Sequence, residues 1–248
     1  MPSTTEGFYD ALAPAYDDLA EPDSLEIPQV LANVPRPAGR ALDVGAGTGR
    51  LAIELARAGW IVDAIDISAG MIAVARAKAS AAAMGERIQF LRADVTRDAL
   101  PPGPFDLIVC IGCLFHIPSV HHRAVIATLA GRLVLGGMLI VDTEIAAAGG
   151  WPRHQHRTLR AEVVDEERLE LDATSTSDAA TRTQRARFDL QWVSGRAESY
   201  ELTSCWMTVG ELTSLVEEAR LRVTSLERGW GMRDRRLTNA LVCARRDA

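Results

Sequence analysis

The residues in this chain best suited to chemistry are three closely spaced glycines and the aspartates around them. The run Leu42-Asp43-Val44-Gly45-Ala46-Gly47-Thr48-Gly49 places Gly45, Gly47 and Gly49 at alternate positions directly after a short apolar stretch. Glycine there permits a sharp turn and lets the backbone approach a ligand that a Cβ would hold off. The dinucleotide-binding fingerprint needs a further glycine at position 50, where this chain has Arg50. An NAD(P)-dependent oxidoreductase with a variant loop is therefore an alternative that this position opposes. Asp66 closes a second apolar run about 20 residues beyond Asp43, the spacing at which an acidic side chain accepts from a ribose. Asp94 closes a third run, where the edge of a base could reach it. Either aspartate alone also suits a helix N-cap or a turn. In register with the glycines, the two describe a ligand shaped like a nucleoside.

Other reactive side chains cluster later. His116 follows the run 105–111 and is placed to act as a general base or as a polar wall; a hydrogen-bonded histidine at a strand end is the competing reading. Glu144, Trp151, His154 and His156 come at or after the run 138–143, where they could face an acceptor. His121 and His122 open a helical stretch and are expected in solvent. Cys110 and Cys113 have the gap of a metal or redox pair, but Cys110 lies inside an apolar run and no second pair completes a zinc site. Core packing is expected for it, and no metal.

Strands and helices must alternate to bring these groups to one edge. Residues 41–44, 60–65, 88–92, 105–111 and 138–143 read as short strands. Between them, 50–58, 69–84 (N-capped by Ser68) and 119–134 read as helices, with Gly136-Gly137 as a turn. Such alternation implies right-handed crossovers and a parallel sheet, whose carboxyl edge binds ligands. A helix over 208–219 and strands over 222–227 and 237–244 follow. Before them, 146–206 holds three alternating rows: Leu169, Leu171 and Ala173; Phe188, Leu190 and Trp192; Tyr200, Leu202 and Trp206. These predict three antiparallel strands serving as lid, substrate wall or oligomer contact. At the start, Pro14 divides a helix–break–helix segment, and a Pro-rich link runs from Pro28 to Gly39.

The stretch ALDVGAGTGRLAIELARAGWIVDAIDISAGMIAVA resembles the first two motifs of the class I S-adenosylmethionine-dependent methyltransferases, of small-molecule type. RADV, FDLIVCIGCLFHI and LAGRLVLGGMLIVDTE resemble its later ones. The resemblance implies an α/β fold: a Rossmann-like, seven-stranded, mostly parallel sheet with its last strand antiparallel, an N-terminal helical cap and a small antiparallel β insertion. The cap would span 1–38, the S-adenosylmethionine-binding domain 39–145 and 207–248, and the insertion 146–206. By the same resemblance, Gly45, Ala46 and Gly47 line the methionyl part of the cofactor, with Asp43 near its amino group. Asp66 holds the ribose, Ile67 and Met71 pack on adenine, Asp94 binds its amino group and the Val95 amide a ring nitrogen. Cys110 offers its carbonyl to the ammonium, and Tyr16 closes over the whole. The expected reaction is in-line methyl transfer to an N or O atom of a small organic molecule. A non-catalytic S-adenosylmethionine-binding protein is a further alternative.

Composition narrows the partners. The 248 residues carry a formal net charge of −6 with mixed signs, and no aromatic-rich basic strip, which argues against nucleic acid. The Asn/Asp-Pro-Pro-aromatic signature of base-modifying relatives is replaced by IGCLFHIP. The N-terminal residues show no signal-peptide pattern, and no apolar run approaches the roughly 20 residues of a membrane span. A cytoplasmic enzyme with a small-molecule acceptor is expected, with self-association through the β insertion.

Overall fold

The computed structural model describes residues 5–19, 26–146, 154–162, 168–230 and 237–247. The chain opens with α1 (Thr5–Leu12), a 3-10 turn (Ala13–Ala15), α2 (Tyr16–Leu19) and α3 (Glu26–Asn33). Pro14 sits in the first turn of the 3-10 segment, where its missing N–H costs nothing. The stretch read as a Pro-rich link instead holds α3, because Pro28 falls in that helix's first turn, which tolerates proline.

Then come β1 (Arg40–Val44), α4 (Arg50–Arg57), β2 (Ile61–Asp66), α5 (Ala69–Ala81), β3 (Ile88–Arg92), β4 (Phe105–Cys110), α6 (Ser119–Gly131) and β5 (Leu133–Ala146). Helix α5 stops short of residue 84, since Ala83 turns to a φ of 56°. The predicted turn at Gly136-Gly137 lies within β5. It is an irregularity between the pairs Phe105–Leu133 and Leu107–Met138, so the glycines shift register and do not reverse the chain. The chain ends with β6 (His154–Glu162), β7 (Arg168–Asp178), β8 (Thr183–Trp192), β9 (Ala197–Cys205), α7 (Val209–Glu218), β10 (Leu221–Trp230) and β11 (Leu237–Arg246).

One sheet has seven strands in the order β10-β11-β5-β4-β1-β2-β3, and β11 alone runs against its neighbours. Period-two alternation sends residues to two apolar layers. Leu42, Val44, Ile108, Leu139, Val141 and Val242 face one layer with α6 and α7. Ala41, Leu107, Val109, Ile140 and Leu241 face the other with α3, α4 and α5.

The second sheet has four strands, β6-β7-β8-β9, where the sequence predicted three. The added β6 lies outside the three apolar rows and pairs with β7 from His154–Thr176 to Glu162–Arg168. The predicted rows do share one face, apart from Trp206, which lies beyond the end of β9. What they pack against is the N-terminal segment: Phe8, Leu12 and Ala15 join Leu169, Leu171, Leu190, Trp192, Tyr200 and Leu202 in a third core.

Candidate functional site

The carboxyl ends of β1 to β5 open on a cavity of about 710 Å³, within the range of roughly 300–1,000 Å³ usual for small-molecule sites. Its floor is the glycine turn. The amides of Gly45 and Ala46 both donate to the Ile65 carbonyl, at 2.9 and 3.0 Å, which ties the turn to the end of β2. A Cβ on Gly45 would lie 2.6 Å from Cβ of Cys113, so only glycine lets the two loops meet. A Cβ on Gly47 would meet nothing within 4 Å; that space belongs to the cavity.

Three carboxylates crowd this end. Asp43 is 2% exposed and its Oδ2 has no hydrogen-bond partner among the described residues. Burial, reinforced by the charge of Asp66 and opposed by the Ala52 amide, pushes its pKa up to about 7. Asp66 accepts from the Gly47 amide on Oδ2 and the Ser68 amide on Oδ1, both at 2.8 Å. Burial raises its pKa, those amides oppose the rise, and Asp10 adds to it. Asp94 is held locally: Thr96 donates to Oδ1 through its amide (2.8 Å) and hydroxyl (2.6 Å), and Arg97 Nε lies 3.2 Å from Oδ2. Its turn-forming role is therefore real, and it still lines the cavity with Val95. Ile67 and Met71 also reach the wall, Met71 with only 1% of its surface exposed.

The N-terminal segment roofs the site. Asp10 Oδ1 accepts from the Ser68 hydroxyl (2.6 Å) and the Gly70 amide (2.8 Å) at the start of α5. Asp17 Oδ1 accepts from the Thr48 hydroxyl at 2.6 Å, and its carboxylate pairs with Lys78. Tyr9 and Tyr16 line the cavity, and the Tyr9 hydroxyl lies 2.6 Å from Nε2 of His116. Burial lowers the His116 pKa to about 4, and its Nδ1 has no partner among the described residues.

Of the predicted site residues, Tyr16, Asp43, Gly45, Ala46, Gly47, Asp66, Ile67, Met71, Asp94, Val95 and His116 converge on this cavity. Cys110 does not: it is wholly buried in β4, and Ile111, Gly112 and Cys113 form the wall there. Its thiol is raised well above the ordinary range, first by its hydrogen bond with Cys113 and then by burial. Glu144 pairs with Asn239 on β11, and His154 and His156 pair with Thr176 and Thr174 on β7. The side chains of all three, and all of Trp151, lie outside the described residues. His122, expected in solvent, is buried; Nε2 lies 3.0 Å from the Leu114 carbonyl and 2.8 Å from that of Ile117.

Sequence reasoning missed Asp10, Asp17, Asp142 and Thr203. Asp142 near the end of β5 obeys the same rule that singled out Asp66 and Asp94, an acid at the carboxyl end of a strand, and that rule could have found it. The other three carry no local signal, because what they touch is far away in sequence.

Residues 41–137 match a family described as "Methyltransferase domain". The ubiquinone biosynthesis O-methyltransferase of Xanthomonas campestris pv. campestris is 36% identical over 116 residues, 46% of this chain and 46% of that enzyme. The chain thus spans about half the length of such curated relatives. Among solved structures, the CcbJ methyltransferase from Streptomyces caelestis superposes with a TM-score of 0.77 at 21% identity, over 99% of both chains. A sugar N-methyltransferase from Streptoalloteichus gives 0.70 at 18% identity, over 100% of this chain and 94% of that one. Residues 41–137 are thus similar to a methyltransferase domain, and the whole chain shares the fold of these solved methyltransferases.

Proposed function

We propose that this protein transfers a methyl group from S-adenosylmethionine to an N or O atom of a small organic molecule. The observation that carries the reading is the buried Asp43 Oδ2, without a partner among the described residues, beside a turn whose Gly47 opens on empty space. An ammonium group would satisfy that oxygen, and the space fits an extended methionyl chain. In this reading Gly45, Ala46 and Gly47 line the chain. Asp66 has lone pairs left for a ribose diol, Ile67 and Met71 pack on adenine, and Asp94 with the Val95 amide reads its edge. Tyr16 closes the roof. The cofactor supplies a methyl already activated on a sulfonium.

The protein's remaining work is to align the acceptor and exclude water, and alignment alone is worth roughly 7–11 kcal/mol in favourable cases. We assign that work to the wall from Ile111 to Pro118, with Thr203 from β9 also in the lining. His116 is neutral at pH 7 and too weakly basic there to hold a proton from the acceptor. We give it the role of a hydrogen-bonding wall residue, set by Tyr9.

The same proposal divides the chain into the cap 1–38, the cofactor domain 39–145 and 207–248, and the insertion 146–206. The outer face of the four-stranded sheet, where Arg187, Asp189 and Ser199 form one hydrogen-bonded row, is our candidate for self-association; sedimentation velocity tests it. All four cysteines are free thiols, which suits the cytoplasm. No helix among the described residues is long and apolar enough to cross a membrane.

Calorimetric titration with S-adenosylmethionine and with NAD tests the cofactor, and binding of NAD alone would overturn the proposal. Incubation with a metabolite pool and S-adenosylmethionine should give a product heavier by one methyl group.

A further inference from the structure

The chain leaves the main sheet at Cys110, and the next eight residues, 111–118, form the wall assigned to the acceptor. Its far end is held from two sides. His122 of α6 binds the Leu114 and Ile117 carbonyls, and the Cys205 thiol of β9 donates to the Ile117 carbonyl at 3.0 Å. Its near end has a different anchor. The Gly112 amide, two residues past the end of β4, donates to Oδ1 of Asp142 on the neighbouring strand at 2.8 Å. Asp142 lies near the end of β5, is 2% exposed and lines the cavity. Cofactor contacts are assigned to the ends of β1, β2 and β3, on the opposite side of β4. None of them uses Asp142.

We propose that Asp142 is the positioning residue for the acceptor wall: by accepting the Gly112 amide it fixes where residues 112–116 stand relative to the glycine turn. Three observations link the parts. Gly112 has a φ of +66°, and a Cβ there would meet nothing within 4 Å, so the backbone turns at the cavity itself. The following residue, Cys113, sits against Gly45, closer than any Cβ on Gly45 would allow. The Cys113 carbonyl accepts the His116 amide at 3.0 Å, which carries the placement to the side chain bonded to Tyr9. A buried carboxylate on a backbone amide makes a strong, short bond, and its loss leaves both groups unsatisfied. A displacement of about 1 Å between reacting groups can cost a hundredfold in rate, which gives such an anchor its purpose.

The inference takes the acceptor wall from the methyl-transfer reading, but its test needs no cofactor. Cys113 is partly exposed, lines the cavity and reports on the turn. In the full chain, Cys113 alkylation by iodoacetamide and hydrogen exchange of peptides covering 111–117 should both accelerate in Asp142→Ala. An increase of about tenfold or more is the scale for losing a charge-assisted hydrogen bond from a local opening equilibrium. Asp142→Asn keeps an oxygen acceptor for the amide and should stay within about threefold of the parent. Gly112→Ala perturbs the same turn with Asp142 intact and should mimic Asp142→Ala, which keeps the test decisive if the latter misfolds. Equal acceleration in Asp142→Asn and Asp142→Ala, or no acceleration in Gly112→Ala, would overturn the assignment. Failure of the parent to bind S-adenosylmethionine would count against the proposed function alone, since labelling and exchange are read without it.

Discussion

Asp43 combines deep burial with a place in the lining of the cavity. Its folded pKa near 7 lies above the ordinary 3.8, so the buried carboxylate destabilises the unliganded fold as pH rises through that interval. A cationic ligand reverses the preference, because an ammonium favours the ionised form. Affinity for S-adenosylmethionine should therefore rise with pH through 7 and be about tenfold weaker at pH 6 than at pH 8, with proton release on binding. Asp66 is raised in the same direction, first by burial. Calorimetry in buffers of different ionisation enthalpy measures the protons. Asp43→Asn should remove most of the pH dependence and the affinity, yet raise unliganded stability at pH 8 by on the order of 2 kcal/mol in chemical denaturation. Gly47→Val should abolish binding, since the side chain would fill open cavity space and force a β-branched residue to a φ near +53°. A normal dissociation constant for that variant would place the ligand elsewhere.

At the scale of elements, the N-terminal segment is held by two carboxylates acting on different loops around the cavity. Asp10 caps α5 beside Ser68, and Asp17 reaches Thr48 within the glycine turn. Neither lines the cavity, so their effect on a ligand passes through the loops they hold. Asp17→Ala should weaken S-adenosylmethionine binding by about tenfold, chiefly through faster dissociation in stopped-flow chase experiments. An unchanged dissociation rate would make the Asp17–Thr48 contact incidental. Helix α7 shows the opposite, local case. Thr208 and Glu211 form a capping box, with the Glu211 amide donating to the Thr208 hydroxyl at 3.2 Å and the Thr208 amide to Glu211 at 2.8 Å. Four consecutive residues suffice for it, and it can be read directly from TVGE.

Across the whole molecule, the cap and the four-stranded sheet share one core although most of the chain separates them. Phe8 stacks on Phe188 with ring centroids 4.5 Å apart and meets Tyr200 edge-on at 5.7 Å. A double-mutant cycle on Phe8 and Phe188 should return a coupling of about 0.5–1.5 kcal/mol in equilibrium unfolding. Strict additivity would mean that the two elements are anchored independently. Through this core the insertion supports the roof of the cavity, and through Thr203 it also lends a wall.

Local rules were enough for the alternation of strands and helices, the glycine turn and the acids at the ends of β2 and β3, because periodicity, turn chemistry and capping each involve a few adjacent residues. They misread Gly136-Gly137, where the same glycines suit a reversal or a register shift and only the partner strand decides. They passed over β6, which carries no apolar row, and put His122 in solvent, because neighbours in sequence do not reveal that Cys205 and Ile117 close over it. The partners of Asp10, Asp17, Tyr9 and Asp142 depend on how helices and strands distant along the chain come together. That juxtaposition is a property of the packed sheets, and tertiary structure alone fixes it.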